Sequence, residues 1–291
     1  MSEQSSLQRV TRAVVPAAGL GTRLRPLTYA FPKELLPVGR KPVLGYVMEE
    51  LAGAGITDVL FIVSDAKPQI RGYFGEHFQP EANLSELNCS YIVQEEQKGL
   101  GHAIALARHW CGNEAFAVAF GDCIVDTTRE TTPLQRMVQA HVYGKSSATT
   151  LVETVPLERV SRYGIVAPEP GANLESGDAI KLADIVEKPS PEAAPSRMAV
   201  AARWVLNASI FEYLNRGALD ERGEINLTDA VRMQMRDGGL AWAAPLLAGE
   251  ARRDIGNFGS FFSAFIRAAV SDPEYGDLAA SAAREALSSK A

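Results

Sequence analysis

The chain has 291 residues, 46% of them hydrophobic and 22% charged, with 24 Gly and 16 Pro, a balance that excludes wholesale disorder and any fibrous repeat. Its 29 Lys and Arg against 35 Asp and Glu leave a formal charge of −6, so nothing draws it generally to nucleic acid or an anionic membrane, and an anion it binds needs a local site. Three cysteines without metal-ligand spacing, a polar start and no run near the roughly 20 apolar residues a bilayer needs set the expectation of a cytoplasmic protein.

Residues 1–10 are polar and are expected to be disordered. The apolar run at 13–15 reads as a buried strand stopped by Pro16, and a Gly-rich loop follows. Strand-like runs recur at 59–63, 90–93, 116–120 and 148–152, with helical stretches at 42–54, 67–77, 100–110 and 133–143 between them. These strands are continuously apolar instead of alternating, as strands covered on both faces by crossover helices must be. The expected fold is α/β, with a Rossmann-like, doubly wound sheet that is mixed but mainly parallel.

Beyond residue 155 the pattern changes. Strand-like runs at 163–167, 179–186 and 198–206 are separated by Pro, Gly and Glu with little helix, which predicts a smaller β-rich region beside the main sheet. Helices are expected at 208–214, 228–236 and 258–270, with Asn207 and Thr228 as candidate caps. The tail at 273–291 is Ala-rich, with Leu278, Ala282, Ala286 and Leu287 on roughly one helix face. The division expected is a frayed start (1–10), one body (11–272) with halves at about 11–155 and 156–272, and a helical tail (273–291).

The most informative stretch is AVVPAAGLGTRLRPLTYAFPKELLPV at 13–38. A Gly-rich loop directly after the first strand lies where open α/β sheets bind ligands. Gly19 and Gly21 let backbone N–H groups approach an anion. The common nucleotide fingerprints are absent. A dinucleotide loop wants a third Gly where Leu24 stands, and a P-loop wants Gly-Lys-Ser/Thr where the chain has Gly21-Thr22-Arg23. Arg23 still offers a bidentate fork to phosphate and Lys33 a mobile point charge. A tight turn with solvated basic residues explains the glycines alone equally well.

At Lys33 a longer pattern is complete, G-L-G-T-R-x-x-P-x-T-x-x-x-P-K-E-x-L-P. It resembles the signature of the sugar-1-phosphate nucleotidyltransferases, most closely their bacterial UTP–glucose-1-phosphate uridylyltransferase branch. Further matches follow in family order. They are Gln94 with Gly99-Leu100-Gly101-His102-Ala103, then Phe120-Gly121-Asp122, and Tyr163-Gly164-Ile165-Val166 followed by Val186-Glu187-Lys188-Pro189. Residues 223–230 and Asp254-Ile255-Gly256-Asn257 complete the set, so the likeness runs from about residue 11 to about residue 270. Three places depart from that branch. The stretch between Phe74 and Tyr91 is short, Pro26-Leu27-Thr28 is closer to the thymidylyltransferases, and Ala202-Arg203-Trp204 stands where the family usually has Gly-Arg-Tyr.

The resemblance implies UTP and glucose 1-phosphate as substrates and UDP-glucose and pyrophosphate as products, with dTTP and glucose 1-phosphate the alternative pair. It places Ala17, Ala18, Gly19, Gly21, Gln94 and Gly99 on the nucleotide, and Gly164, Glu187 and Lys188 on the sugar phosphate. Arg23, Lys33 and Lys188 become the catalytic cations, Asp122 and Asp254 the ligands of Mg²⁺, and the assembly a homodimer or homotetramer. The chemistry agrees. A sugar phosphate has a second pKa of about 6, so it is already a nucleophile at neutral pH, and two polyanions must be held together by cations. A nucleotide-sugar sensor without turnover has no need of Lys33, Asp122 and Asp254, which are all present, and an NAD-dependent oxidoreductase lacks its third glycine.

Each residue also has a plain reading. Asp122 serves as a turn residue, Asp254 pairs with Arg252 or Arg253 in a solvated loop, and Glu187-Lys188 is an exposed pair. Thr228 and Asp229 start a helix. His102 is structural, and His77, His109 and His141 lie on helix surfaces without ligand spacing.

Overall fold

A computed structural model describes residues 9–74, 84, 87–174, 176–217, 219–220 and 223–289. β1 (Arg12–Pro16) leads through the Gly-rich loop and the one-turn α1 (Leu27–Ala30) into a small hairpin of β2 (Pro37–Val38) and β3 (Lys41–Pro42). Next come α2 (Val43–Gly53), β4 (Asp58–Val63), α3 (Pro68–Tyr73), β5 (Asn88–Val93), α4 (Gly99–Ala105), α5 (Arg108–Cys111) and β6 (Phe116–Ala119). The chain continues through β7 (Cys123–Asp126), α6 (Pro133–Tyr143), β8 (Ala148–Thr154), β9 (Gly164–Pro168), β10 (Ile180–Glu187) and β11 (Met198–Leu206). It ends with α7 (Ile210–Arg216), α8 (Leu227–Arg236), β12 (Ala241–Pro245), β13 (Ala251–Asp254), α9 (Phe258–Val270) and α10 (Gly276–Ser288). The helix expected at 67–77 ends at Tyr73, and residues 75–77, His77 among them, lie outside the described ones, as do residues 1–8 of the expected frayed start.

The fold is α/β, built on one mixed nine-stranded sheet in the order β5-β4-β1-β6-β11-β8-β12-β10-β9. β5, β4, β1 and β6 are parallel, as the alternation of strand and helix predicts. The parallel run then breaks. β11 enters antiparallel between β6 and β8, with Trp204 opposite both Val118 and Thr150. The two halves of the chain therefore share one sheet instead of packing as a sheet and a side wall. β12 and the β7–β13 pair were not expected from the sequence.

The apolar strands bury both faces. Val14, Leu60, Ile62, Phe116 and Val118 pack with Ile104 of α4, Phe211 of α7 and Val231 of α8. Ala13, Val15, Val59 and Phe61 pack on the other side with Val47 and Leu51 of α2 and Met137 of α6. Alternate residues of each strand thus enter different cores, which is why no polar face shows in the sequence.

Two expectations fail at this level. Asn207 and Thr228 are not caps, since Ser209 and Asn226 precede α7 and α8. Asn207 instead donates to the Ser146 carbonyl at 2.9 Å and accepts from His141 Nε2 at 2.9 Å. His141 is not on a helix surface but 4% exposed, because Leu134, Met137 and His141 share the inward face of α6. With Nε2 donating, Nδ1 is left to accept from the Thr149 hydroxyl at 3.1 Å.

Burial lowers the pKa of His141 and the Asn207 contact only partly offsets this. Below about pH 6.5 the unfolded chain takes up a proton that the folded chain refuses. Stability from this group is full above that pH and is lost as pH falls toward the lowered folded pKa, by about 1.4 kcal/mol per unit. Urea unfolding at pH 7.5 and pH 5.5 should show this loss in the native protein and a smaller one in His141→Gln. Equal slopes would contradict it.

Candidate active site

The parallel strands β1, β4, β5 and β6 deliver their following loops to one edge of the sheet. Ala17 and Ala18 are buried at the end of β1, and Ala17 donates to the Ile62 carbonyl at 2.8 Å. Gly21 sits at φ +64°, and a Cβ there would come 3.0 Å from the Thr28 methyl. The Thr28 hydroxyl donates to the Gly21 carbonyl at 2.9 Å. The glycine and Pro26-Leu27-Thr28 are thus two sides of one turn.

A cavity of about 310 Å³ opens beside this loop, lined by Ala18, Gly19, Lys33, Gln94, Gly99 and Asp122 among others. All six are residues the sequence singled out. Larger cavities of about 840 and 600 Å³ lie between the β2–β3 hairpin and α9 and between α5 and α7, but neither gathers these loops. A methyl on Gly19 would lie 3.7 Å from Lys33 Nζ, so the ammonium faces the bare glycine backbone.

Lys33 also forms an ion pair with Asp122. Burial works against the Lys33 charge, but Asp122, Glu34 and Asp254 outweigh it and hold its pKa above the usual value. Burial likewise opposes ionisation of Asp122, and Lys33 reverses that, so Asp122 stays below the usual carboxylate range. Asp122 is more than a turn residue.

Asp254 reaches the same place from the far end of the chain. β13 runs antiparallel to β7, with Asp254 opposite Cys123 and the Ile255 N–H donating to the Asp122 carbonyl at 2.9 Å. Burial and the Asp122 charge push the Asp254 carboxyl up. Arg252 instead pairs with Glu153 and Arg253 with Asp126, so the reading of Asp254 as one half of a solvated loop pair fails. A Cβ on Gly256 would fall 2.5 Å from Asp254 Oδ2 and 3.2 Å from Arg23 Nη2. That cradle brings exposed Arg23 to the second aspartate.

Gln94 is 5% exposed, with its Nε2 2.9 Å from His102 Nδ1 and 3.5 Å from the Gly99 carbonyl. His102, expected to be structural, holds the Gln94 amide. Gly99 takes φ +88°, and a Cβ on Gly101 would strike the Ile225 carbonyl at 2.6 Å. Gly101 N–H donates to Ile225 O and Ile225 N–H to Lys98 O, both at 2.8 Å. The two glycines are there so that segment 223–230 can dock on the start of α4.

Gly164, Glu187 and Lys188 form a second group where β9 and β10 pair, Glu187 lying opposite Gly164. A Cβ on Gly164 would sit 2.9 Å from Thr228 Oγ1 and 3.3 Å from Glu187 Oε2. Lys188 has φ +44°, donates its N–H to Tyr163 O at 3.0 Å and pairs with Glu187 at 2.9 Å. The pair is partly exposed, close to its plain reading. Burial and the Glu187 charge raise the Asp229 carboxyl. The segment from Glu224, which lines the cavity, to Thr228, which meets Gly164, joins the two groups. Sequence reasoning quoted Glu34 and Glu224 only inside family motifs, without a role, and passed over Lys67 and Gln97. Of these, Gln97 donates to the Ala18 carbonyl at 3.1 Å.

A profile described as nucleotidyl transferase matches residues 12–270. The chain belongs to the nucleotidyl transferase family. It is 40% identical over 284 residues to the UTP–glucose-1-phosphate uridylyltransferase YngB of Bacillus subtilis, covering 92% of each chain. Among solved structures it resembles a UTP-bound UGPase from Acinetobacter baumannii, at TM-score 0.81 and 31% identity over 92% of this chain and 96% of that one. It also resembles a UDP-glucose pyrophosphorylase complexed with UDP-glucose, at TM-score 0.79 and 32% identity over 88% and 97%.

Ala202 stands where the sequence resemblance expects glycine. It takes φ +60° at a bulge in β11, where its carbonyl accepts from Phe120 N–H at 3.2 Å. That conformation suits glycine and strains alanine. Part of the short stretch between Phe74 and Tyr91 lies outside the described residues.

Proposed function

We propose that this nucleotidyltransferase moves the uridylyl group of UTP onto glucose 1-phosphate, giving UDP-glucose and pyrophosphate. The observation that carries the reading is the cavity where the Gly-rich loop, Lys33, Gln94 and Asp122 meet, with Asp254 beside them. The uridylyltransferase relatives at 40% identity and the UTP- and UDP-glucose-bound neighbours support it. We take residues 11–155 as the nucleotide half and 156–272 as the sugar-phosphate half of one body. Helices on both faces and the parallel β5-β4-β1-β6 run support a Rossmann-like, doubly wound description.

A phosphate oxygen of glucose 1-phosphate attacks the α-phosphorus in line. The bond between the α-phosphorus and the oxygen that bridges it to the β-phosphorus breaks, and its electron pair stays on that oxygen as pyrophosphate leaves. Ala18, Gly19 and Gly21 offer backbone to the nucleotide. Ala17, whose N–H goes to Ile62 and whose carbonyl goes to Lys67, orients that loop instead of contacting the nucleotide as the resemblance implied. Arg23 and Lys33 neutralise the triphosphate, and Lys188 neutralises the attacking phosphate. Glu187 and Gly164 border the sugar. Of the cations, Lys33 is held in place beforehand by burial and its pairing with Asp122, which lessens the reorganisation left for the transition state.

Asp122 and Asp254 are the residues fit to hold a divalent cation. Both are hard oxygen donors, they converge from the start of β7 and the end of β13, and the bare Gly256 lets the Asp254 carboxylate fold in over its backbone. Among the described residues no group of three or more His, Cys, Asp or Glu converges, so a sparse pair completed by substrate phosphates points to Mg²⁺. When bound, that ion supplies charge neutralisation at the reacting phosphoryl oxygens.

With its amide nitrogen directed at His102 and Gly99, Gln94 presents oxygen as the acceptor that the imide N–H of uracil or thymine requires. Pyrophosphate release should therefore be fastest with UTP and glucose 1-phosphate, present but slower with dTTP, and poor with CTP, whose ring N3 accepts instead of donating. One methyl discriminates by roughly 1–3 kcal/mol. Equal rates with CTP would refute the role of Gln94, a preference for dTTP would favour the thymidylyltransferase alternative, and no release with any pair would remove the enzymatic reading.

We further assign a homodimer or homotetramer in the cytoplasm. No described helix is long and apolar enough to cross a membrane, and the three cysteines are free. α9 exposes Phe262 and Ile266, each at 55%, and α10 exposes Leu278 and Leu287 instead of folding them back on the body. Light scattering should show an oligomer that Phe262→Asp with Ile266→Asp reduces toward monomer. An unchanged mass would place the interface elsewhere.

A further inference from the structure

Glu34 and Lys67 form a buried ion pair that none of the roles above uses. Glu34 is 1% exposed and Lys67 6%. The Lys67 ammonium donates to both Glu34 oxygens, at 3.0 and 2.8 Å, and to the Ala17 carbonyl at 2.7 Å. An ammonium has three donors, and these contacts account for them. An apolar pair of similar volume is often as stable as a buried ion pair or more so, so stability alone gives little reason for these charges to be here.

Their position supplies the reason. Lys67 stands in the loop between β4 and α3, its N–H held by the Ser64 carbonyl at 3.0 Å. Glu34 follows Lys33 in a single turn of helix, Lys33–Leu35. Its side chain lies under the loop that follows β6, where a Cβ on Gly121 would meet Glu34 Cγ at 3.2 Å. One ammonium thus ties the loop after β1, the loop after β4 and the turn carrying Lys33, directly beneath Gly121-Asp122. A trans peptide is planar, with its C=O and N–H pointing in opposite directions. Pinning the Ala17 carbonyl to Lys67 therefore aims the Ala18 N–H away from Lys67.

We propose that Lys67 is a positioning residue for nucleotide binding. It acts through the Ala17 carbonyl and through Glu34, and the proposal rests on the nucleotide reading of the Gly-rich loop. Two variants test it by different routes, with UTP as the probe in calorimetry and steady-state kinetics on the full chain. Lys67→Met with Glu34→Gln removes both charges at nearly constant volume. Lys67→Arg keeps a cation beside Glu34 but sets a wider, planar head against Ala17.

Both variants should melt cooperatively, with native-like circular dichroism. The neutral pair should raise the Kd and KM for UTP about tenfold, which corresponds to about 1.4 kcal/mol, while the KM for glucose 1-phosphate stays within twofold. Lys67→Arg should raise the UTP constants about fivefold at an almost unchanged Tm. Either variant, folded and binding UTP with native affinity, would overturn the proposal, as would equal increases in both KM values. If the unaltered protein failed to bind UTP, the nucleotide reading would fall and this proposal with it.

Discussion

Asp254→Ala should lower kcat about a thousandfold and leave the fold intact. A cation bound at a reacting phosphoryl group is worth several kcal/mol of transition-state stabilisation, and about 4 kcal/mol corresponds to that factor. The fold should survive because the Asp254 carboxyl is already disfavoured by burial and by Asp122, so its removal relieves crowding between like charges. Asp122 is different. Its carboxylate is the partner of buried Lys33, and Asp122→Ala would leave that ammonium without its counter-ion, losing stability as well as turnover. Asp122→Asn keeps an acceptor for Lys33 and is the cleaner substitution. Initial rates across a Mg²⁺ titration, with thermal melts of each variant, measure both effects. Near-native turnover in either variant, or full turnover in excess EDTA, would remove the two-aspartate proposal.

The site was legible where its chemistry is written in contiguous residues. Gly19 and Lys33 could be read from the loop itself, because a loop that cradles an anion needs glycine and cations at close spacing. Gln94, Gly99 and Asp122 were legible only through the family resemblance; all five line one cavity. The pairings between distant segments were not legible. β7 and β13 are four residues each, and ARRD in β13 has no strand-like apolar pattern, yet their register is what sets Asp254 beside Asp122. β11 reads correctly as a strand, but its place between β6 and β8 does not, since a central antiparallel strand is as apolar as a parallel one. Glu34 and Lys67 look like ordinary surface charges until β1 and β4 pair and bring their loops together. His141 carries the clearest lesson. It occupies a helix face with Leu134 and Met137, and that spacing was a better guide to burial than its polarity.

Arg203→Met should cost about 3–5 kcal/mol of stability, the penalty for leaving a buried charge without its partner. Arg203 has no exposed surface. Its guanidinium reaches Glu50 of α2 through Nε at 3.1 Å and Nη2 at 2.7 Å, and the Cys123 carbonyl through Nη2 at 2.8 Å. Arg203 thus ties the centre of the sheet to α2 and to the residue directly after Asp122. Removing it leaves the Glu50 carboxylate nearly buried and unpaired, and frees the backbone that carries Asp122. Adding Glu50→Leu should recover most of the stability, because the orphaned charge then goes with it. It should not recover full activity if the Cys123 contact holds Asp122 in place. Urea unfolding of the single and double variants, with kcat beside it, separates the two effects. A single variant within about 1 kcal/mol of the native protein would show that water reaches Glu50 when Arg203 is gone. Full activity in the double variant would show that the β7–β13 pairing holds Asp122 unaided.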